Sequence, residues 1–363
     1  MRRICLYLTI GLFFVAPANA QHSSWTENVK FKGDFRYRHE MIDKEGKDTR
    51  NRHRIRARFE VLANVNQTTK VGLQLATGSD NPVSTNQTLD NSFSTKNLML
   101  DLAYLEMKLQ TIEGLSIKGG KFKNPFFKPG KSELIWDSDY NPEGGVAAFR
   151  RDLHNISITV ITAGFWIEER SSDDDSWMVA GQCLLKYNLN DIKSSITAGA
   201  SFFNYVNTIG FEPFFDAHDP AGNTVDTAGL YVNDYELVEL FTEATHKLGN
   251  IPVVLMGDYV TNTSADNNCN GWLIGISVGK VKKPGSWSCR YIYRELGKDA
   301  VVGMFTDSDF RGGGTDAKGH EIGGAFQIAK NNALKLTYFM NKIGLDQNES
   351  DFKRLQIDLL LKF

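Results

Sequence analysis

Arginine occupies every second position in RNRHRIRARFEV: Arg50, Arg52, Arg54, Arg56 and Arg58. A guanidinium stays charged at all relevant pH values and offers its N–H donors in a fixed fork, so a row of them attracts anions. On an α-helix, residues two apart point about 200° from each other, which would scatter the five around the cylinder and leave no apolar face. On a β-strand they share one face, and Ile55, Ala57, Phe59 and Val61 share the other. Just upstream, GDFRYRHE repeats the period with Arg36 and Arg38. If the two strands form a hairpin, their arginines stand side by side, since neighbouring strands lie about 4.8 Å apart. Asp34, Glu40 and Glu60 fall on the same faces and would neutralise part of the field. The chemistry on offer is electrostatic, either selection among ions or a charged wall that simply stays wet.

Carboxylates that could stand opposite occur in GKFKNPFFKPGKSELIWDSDYNPEGG, Gly120 to Gly145, a long connection with Pro125, Pro129 and Pro142. Loops of this length are usually functional or disordered. If it folds inward it would form a constriction that includes Trp136 and in which Asp137, Asp139 and Glu143 face the arginines; otherwise it is an ordinary external loop. The acidic SSDDDS, Ser171 to Ser176, reads as a solvated loop, with cation bridging to lipopolysaccharide as a weaker use.

Covalent chemistry has little support. GISVG, Gly275 to Gly279, matches the nucleophile-elbow pattern, but that motif needs Ser on a sharp turn between a strand and a helix. Ser277 instead lies inside the alternating WLIGISVGK and reads as a small inward-facing residue. P-loop, dinucleotide, HExxH and Cys/His zinc patterns are lacking, so no catalytic residue, cofactor or metal is expected.

The elements that must position the arginines follow from the rest of the chain. MRRICLYLTIGLFFVAPANA has Arg2 and Arg3, an apolar run, and Ala18-Asn19-Ala20 before Gln21, the layout of a cleaved secretory signal over residues 1–20. Losing Arg2 and Arg3 moves the formal charge from −2 to −4, which is no nucleic-acid signature. Cys183, Cys269 and Cys289 then remain, an odd number without metal spacing, so no disulfide framework is read. No later apolar run approaches the about 18 residues that a membrane helix needs.

Alternating segments recur instead: VKFKGDFRYRHEM, KVGLQLATG, WMVAGQCLLKY, ELVELFTEATHK, WSCRYIYREL and others. About 16 strands of about ten residues, joined by alternating short and long connections, form the pattern of a membrane-spanning antiparallel barrel. Trp177, Tyr187, Trp272, Trp287, Tyr293 and Tyr338 are candidates for aromatic girdles at the two interfaces. LMLDLAYLEMKL breaks the phase, because Asp101 and Glu106 lie on opposite faces of a regular strand; a β-bulge would reconcile them. The last strand, KRLQIDLLLKF, alternates and ends on Phe363. In that it resembles outer-membrane barrel proteins of Gram-negative bacteria, whose assembly machinery reads such a terminus.

GDFRYRHE with RNRHRIRARFEV, LATGSDNPVSTNQTL, GKFKNPF with WDSDYNPEGG, and FTDSDFRGGGTDAKGHEIG, in that order, resemble the putative porin family of Gram-negative bacteria. The resemblance runs from about Val29 to Phe363. It implies a single outer-membrane barrel over residues 21–363 with pore activity, and no catalytic residues come with it. The expectation is a passive diffusion channel for small hydrophilic solutes, with anion preference from Arg36, Arg38, Arg52, Arg54, Arg56 and Arg58. Expected partners are outer-membrane lipid and lipopolysaccharide, the barrel assembly machinery and, by analogy with general porins, two further copies in a homotrimer. The alternative is a non-conducting barrel, an adhesin, receptor or structural protein acting through its long loops Thr208 to Asp234 and Lys298 to Lys318.

Overall fold

Polar and apolar residues that alternate can satisfy both water and lipid only if each strand belongs to a sheet with two unlike faces, and such a sheet has no free edges only when closed. The computed structural model describes residues 28–189, 193–346 and 348–363. The expected leader, residues 1–20, and its cleavage site lie outside them. The strands are β1 (Val29–Lys44), β2 (Arg50–Asn64), β3 (Thr69–Thr77), β4 (Gln87–Thr88), β5 (Leu98–Lys108), β6 (Leu115–Lys121), β7 (Glu143–Leu153), β8 (Ile156–Glu168) and β9 (Ser176–Asn188). They continue as β10 (Ser194–Val206), β11 (Glu236–Leu248), β12 (Ile251–Asn262), β13 (Asn270–Gly279), β14 (Trp287–Leu296), β15 (Ala317–Ala329), β16 (Asn332–Ile343) and β17 (Ser350–Lys362).

All but the two-residue β4 form a ring of antiparallel neighbours in sequence order, a closed 16-stranded barrel. β1 completes the ring by pairing with β17 from Asp34↔Lys362 to Lys44↔Phe352. Beyond that register, Gly33 and Phe363 exchange both main-chain hydrogen bonds, at 2.9 and 3.0 Å. A Cβ on Gly33 would lie 2.3 Å from the Phe363 ring and 2.8 Å from the Arg58 carbonyl oxygen; the exposed ring could swing aside but the backbone could not, so a side chain there would shift the seam. One end of the barrel carries tight connections, residues 65–68, 154–155, 249–250 and 330–331. The other carries the long loops 78–97, 122–142, 207–235 and 297–316.

Outward faces are apolar, as in Phe59, Leu240, Leu255 and Ile274. Trp177, Trp272 and Tyr293 lie toward the loop end, Tyr187 and Trp287 toward the turn end. Tyr338 sits near the middle of β16 and belongs to neither girdle. The break of phase in β5 is a bulge: Gln74 pairs with Leu102 and Leu75 with Leu100, which leaves Asp101 as the extra residue. Asp101 thereby turns inward to Gln74 and to Asn141 Nδ2 at 2.8 Å, on the same side as Glu106. Ser277 lies mid-strand between Val254 and Arg290, so no elbow turn exists there. Cys183, Cys269 and Cys289 are free thiols.

The core lies inside the barrel. Loop 122–142 enters the lumen and meets inward side chains of β8 to β14, among them Phe165, Phe203, Met256 and Ile292. Trp136 stacks on Tyr140 at 5.2 Å and stands edge-on to Phe203 at 5.3 Å. Loop 297–316 adds Phe305, 4.7 Å from Tyr140, and loop 207–235 adds Phe214, 6.0 Å from Phe305. Half the interior is thus packed like a soluble core, and aromatic pairs of this geometry add to area burial.

Candidate pore constriction

β1 and β2 pair as the hairpin expected, with Arg36↔Arg56 and Arg38↔Arg54 in register. All six ladder arginines, Arg36, Arg38, Arg52, Arg54, Arg56 and Arg58, project into the barrel, where burial limits how many can stay charged without partners. Neighbouring strands supply some of those partners. Arg56 and Arg58 share Asp34 at 2.9 and 2.8 Å, and Arg52 pairs with Glu40. Arg38 grips Asp358 of β17 with two parallel bonds, 2.6 and 2.9 Å, the fork-to-carboxylate geometry that favours arginine over lysine.

Two loops supply the rest. Asp139 of loop 122–142 lies 3.5 Å from Arg56 and 3.4 Å from Arg58. Burial pushes its carboxyl up, but Arg56, Arg58 and Arg36 together outweigh that and hold it below the ordinary range. Asp309 of loop 297–316 lies 3.2 Å from Arg38 and 2.8 Å from Arg354. Burial opposes its ionisation too, yet those two guanidiniums hold its carboxyl far below the ordinary range. The wall therefore has seven guanidiniums, counting Arg354, against five paired carboxylates: Asp34, Glu40, Asp139, Asp309 and Asp358.

The inward course of loop 122–142 has local causes. Gly130, at φ 57° after Pro129, turns the chain where a Cβ would lie 2.2 Å from the Met256 sulfur. Its N–H donates to Glu243 at 2.7 Å and its carbonyl accepts from Arg290 at 2.8 Å, while Phe127 N donates to Gln182 at 2.7 Å. The two loops are joined where Asp137 N donates to the Phe305 carbonyl at 2.8 Å.

Of the three loop carboxylates expected to face the arginines, only Asp139 does. Trp136 is buried in the aromatic cluster, an apolar ring with better contacts there than beside charge. Asp137 accepts from Asp139 N and Ser308 N at 2.7 and 2.8 Å, which turns it toward loop 297–316. Glu143 opens β7 at the exposed end and pairs with Lys121 at 2.8 Å. Asp309 was not anticipated; its only signal is the acidic FTDSDF preceding GGG, in a segment without periodicity.

Glu133, Asp137 and Asp307 bring carboxylate oxygens within 4.8 Å of one another, a spacing that could hold a cation. Arg294 already supplies positive charge to this group, with Nη2 2.6 Å from Asp307. Burial and then Asp307 push the Glu133 carboxyl up to about 7, and burial with Glu133, Asp139 and Asp307 pushes Asp137 up.

Comparison with known proteins agrees with this geometry. The family model described as "Putative porin" matches residues 42–229 and 215–363. The chain belongs to that family. Solved structures similar to this porin include Salmonella typhi OmpF in complex with daunomycin (TM-score 0.57, 12% identity, 93% of this chain and 99% of that one). Pseudomonas putida OprB at high pH matches at TM-score 0.61 and 9% identity over 93% and 95% of the two chains. A triple mutant of the Rhodopseudomonas blastica porin matches at TM-score 0.52 and 9% identity over 92% and 100%. At such identities the likeness shows the fold alone. No curated protein matches the chain. Family and fold together make the protein a porin of the Gram-negative outer membrane.

Proposed function

We propose that this porin is a passive diffusion channel for small hydrophilic solutes that prefers anions. The observation that carries the preference is the excess of guanidiniums over paired carboxylates on one wall, with the opposite side filled by apolar packing. Solutes crossing the lumen would pass along the charged side, where the low-dielectric filling opposite them strengthens the field. Permeation then needs no energy input and is limited by size and charge. As for most porin-like barrels, we take the bilayer and its lipopolysaccharide as the surroundings, the barrel assembly machinery as the reader of Phe363, and a homotrimer as the assembly.

Refolded protein in a planar bilayer under a salt gradient tests this directly. The expected result is discrete conductance steps and a reversal potential on the anion side. Replacing Arg54 and Arg56 with Glu should move that potential toward cations. Absence of conductance at any voltage would overturn the channel reading and leave the second one, a non-conducting adhesin or receptor. One observation favours that second reading: loops 78–97, 122–142, 207–235 and 297–316 enter the lumen and pack there.

A further inference from the structure

Five of the seven guanidiniums of the charged wall have a carboxylate partner; among the described residues, Arg36 and Arg54 form no ion pair. They nevertheless converge on one residue of loop 78–97. Arg36 Nη2 donates to the Asn86 side-chain oxygen, and Arg54 Nη2 donates to the Asn86 carbonyl at 3.3 Å and to Ser84 Oγ at 3.4 Å. The Nε atoms of both are buried without a hydrogen-bond partner. Arg36 is only 9% exposed. Neutral acceptors satisfy part of each fork but compensate neither charge, and a buried charge without a counter-charge is strongly disfavoured.

The surroundings are rigid. β4 follows Asn86 directly and pairs with β2 through Arg54↔Thr88 and Ile55↔Gln87, so the backbone that carries Asn86 is fixed to the strand that carries Arg54. Sites held by paired strands keep their geometry better than sites on free loops.

We propose that Arg36 and Arg54, bridged by Asn86, form a discrete site that holds a phosphate-type oxyanion in transit. The inference rests on the channel reading and deepens its anion preference. A halide offers one undirected acceptor, whereas a tetrahedral oxyanion presents several oxygens to two guanidinium forks and to the Ser84 hydroxyl. Two sources share this chemistry, free inorganic phosphate and the phosphate group of a small monoester.

Chloride current through the reconstituted porin, measured while potassium phosphate or glycerol phosphate replaces chloride at constant ionic strength, reads the site. Saturable block by phosphate is expected, at least tenfold weaker in R36K and R54K, which keep the charge and lose the fork. Block by inorganic phosphate alone assigns the site to the free ion, and block by both assigns it to phosphate groups generally. Block by neither, or equal block in the lysine variants, overturns the proposal. Circular dichroism and heat-dependent gel migration verify that each variant is a folded barrel. Calorimetric titration of phosphate into the detergent-solubilised porin and both variants keeps the site testable if no current is seen. The reversal potential in chloride reports the charge of the wall, and phosphate block reports the site, so the two readings fail separately.

Discussion

The two sides of the lumen are built from opposite materials. On β1, β2 and β17, inward positions carry arginine and aspartate in shared ion pairs. On β8 to β14 they carry phenylalanine, methionine and leucine packed against loops that have come inside, with a smaller polar cluster of Gln182, Ser201, Glu239 and Asp258 among them. The first side stays polar because seven buried or half-buried guanidiniums need carboxylates or polar acceptors such as Asn86 beside them. The second is mainly apolar because loops 122–142, 207–235 and 297–316 bring aromatic rings to it. The difference teaches that a barrel wall of this size does not by itself determine its passage; the loops do, one half by filling and the other by placing Asp139 and Asp309 on the ladder.

The largest effect should come from breaking the filling. Trp136→Ala or Phe305→Ala removes a buried aromatic, a change that costs about 3–5 kcal/mol in packed cores. Loops 122–142 and 297–316 should then become sensitive to limited proteolysis, and single-channel conductance should rise several-fold. Unchanged conductance would mean that the apolar side does not limit the passage.

Next comes the loop carboxylate on the charged side. Asp309→Asn leaves Arg38 with Asp358 alone and Arg354 with only the longer 3.6 Å contact to Glu40. A loss of about 1–3 kcal/mol is expected for such a partly buried partner, read by denaturant or thermal unfolding in detergent. The reversal potential should shift further toward anions, because one neutralising charge is gone.

A smaller effect separates the two loop carboxylates by pH. Asp309 is held far below the ordinary range, so its contribution is present above about pH 4 and is lost only in strong acid. Glu133 runs the other way. With its carboxyl raised to about 7, the packed arrangement is favoured while the group is protonated, and that advantage is lost as pH rises through about 7. Proteolysis of loop 122–142 should therefore increase from about pH 4.5, the ordinary value for glutamate, to about pH 7 and level off above that. Glu133→Gln should flatten the profile; an unaltered profile in that variant would assign the effect to another group. The smallest change is expected from Glu143→Gln, whose exposed pair with Lys121 is worth about 0–1 kcal/mol. Conductance and selectivity should both match the parent protein.

How much of this could be read from the sequence varies with the periodicity of each segment. The ladder, the first hairpin and the bulge at Asp101 were legible, because a period of two leaves one arrangement in which charge and grease separate. The count of strands followed from the same rule. The filling was harder to see, although a signal existed: Met178 and Ala180 are apolar on one face of β9 while Trp177 and Val179 are apolar on the other. A strand apolar on both faces must be covered on both. The loop carboxylates were only half legible, since a loop has no period and its inward course depends on contacts such as Gly130 with Met256 and Asp137 with Phe305. Which of Asp137, Asp139 and Glu143 meets arginine is decided by those contacts.

The seam at Gly33 and Phe363 has a further meaning for how the molecule is made. Hydrogen bonds there join the first strand to the last, so the ring cannot close until almost the whole chain is present. Contacts of such sequence separation form slowly, and until they form the sheet has two unpaired edges that can recruit other chains. A nascent or truncated copy is thus an aggregation hazard rather than a smaller version of the pore. The topology keeps both edges exposed until the last residues arrive, and a bulkier residue at position 33 should lengthen that exposure.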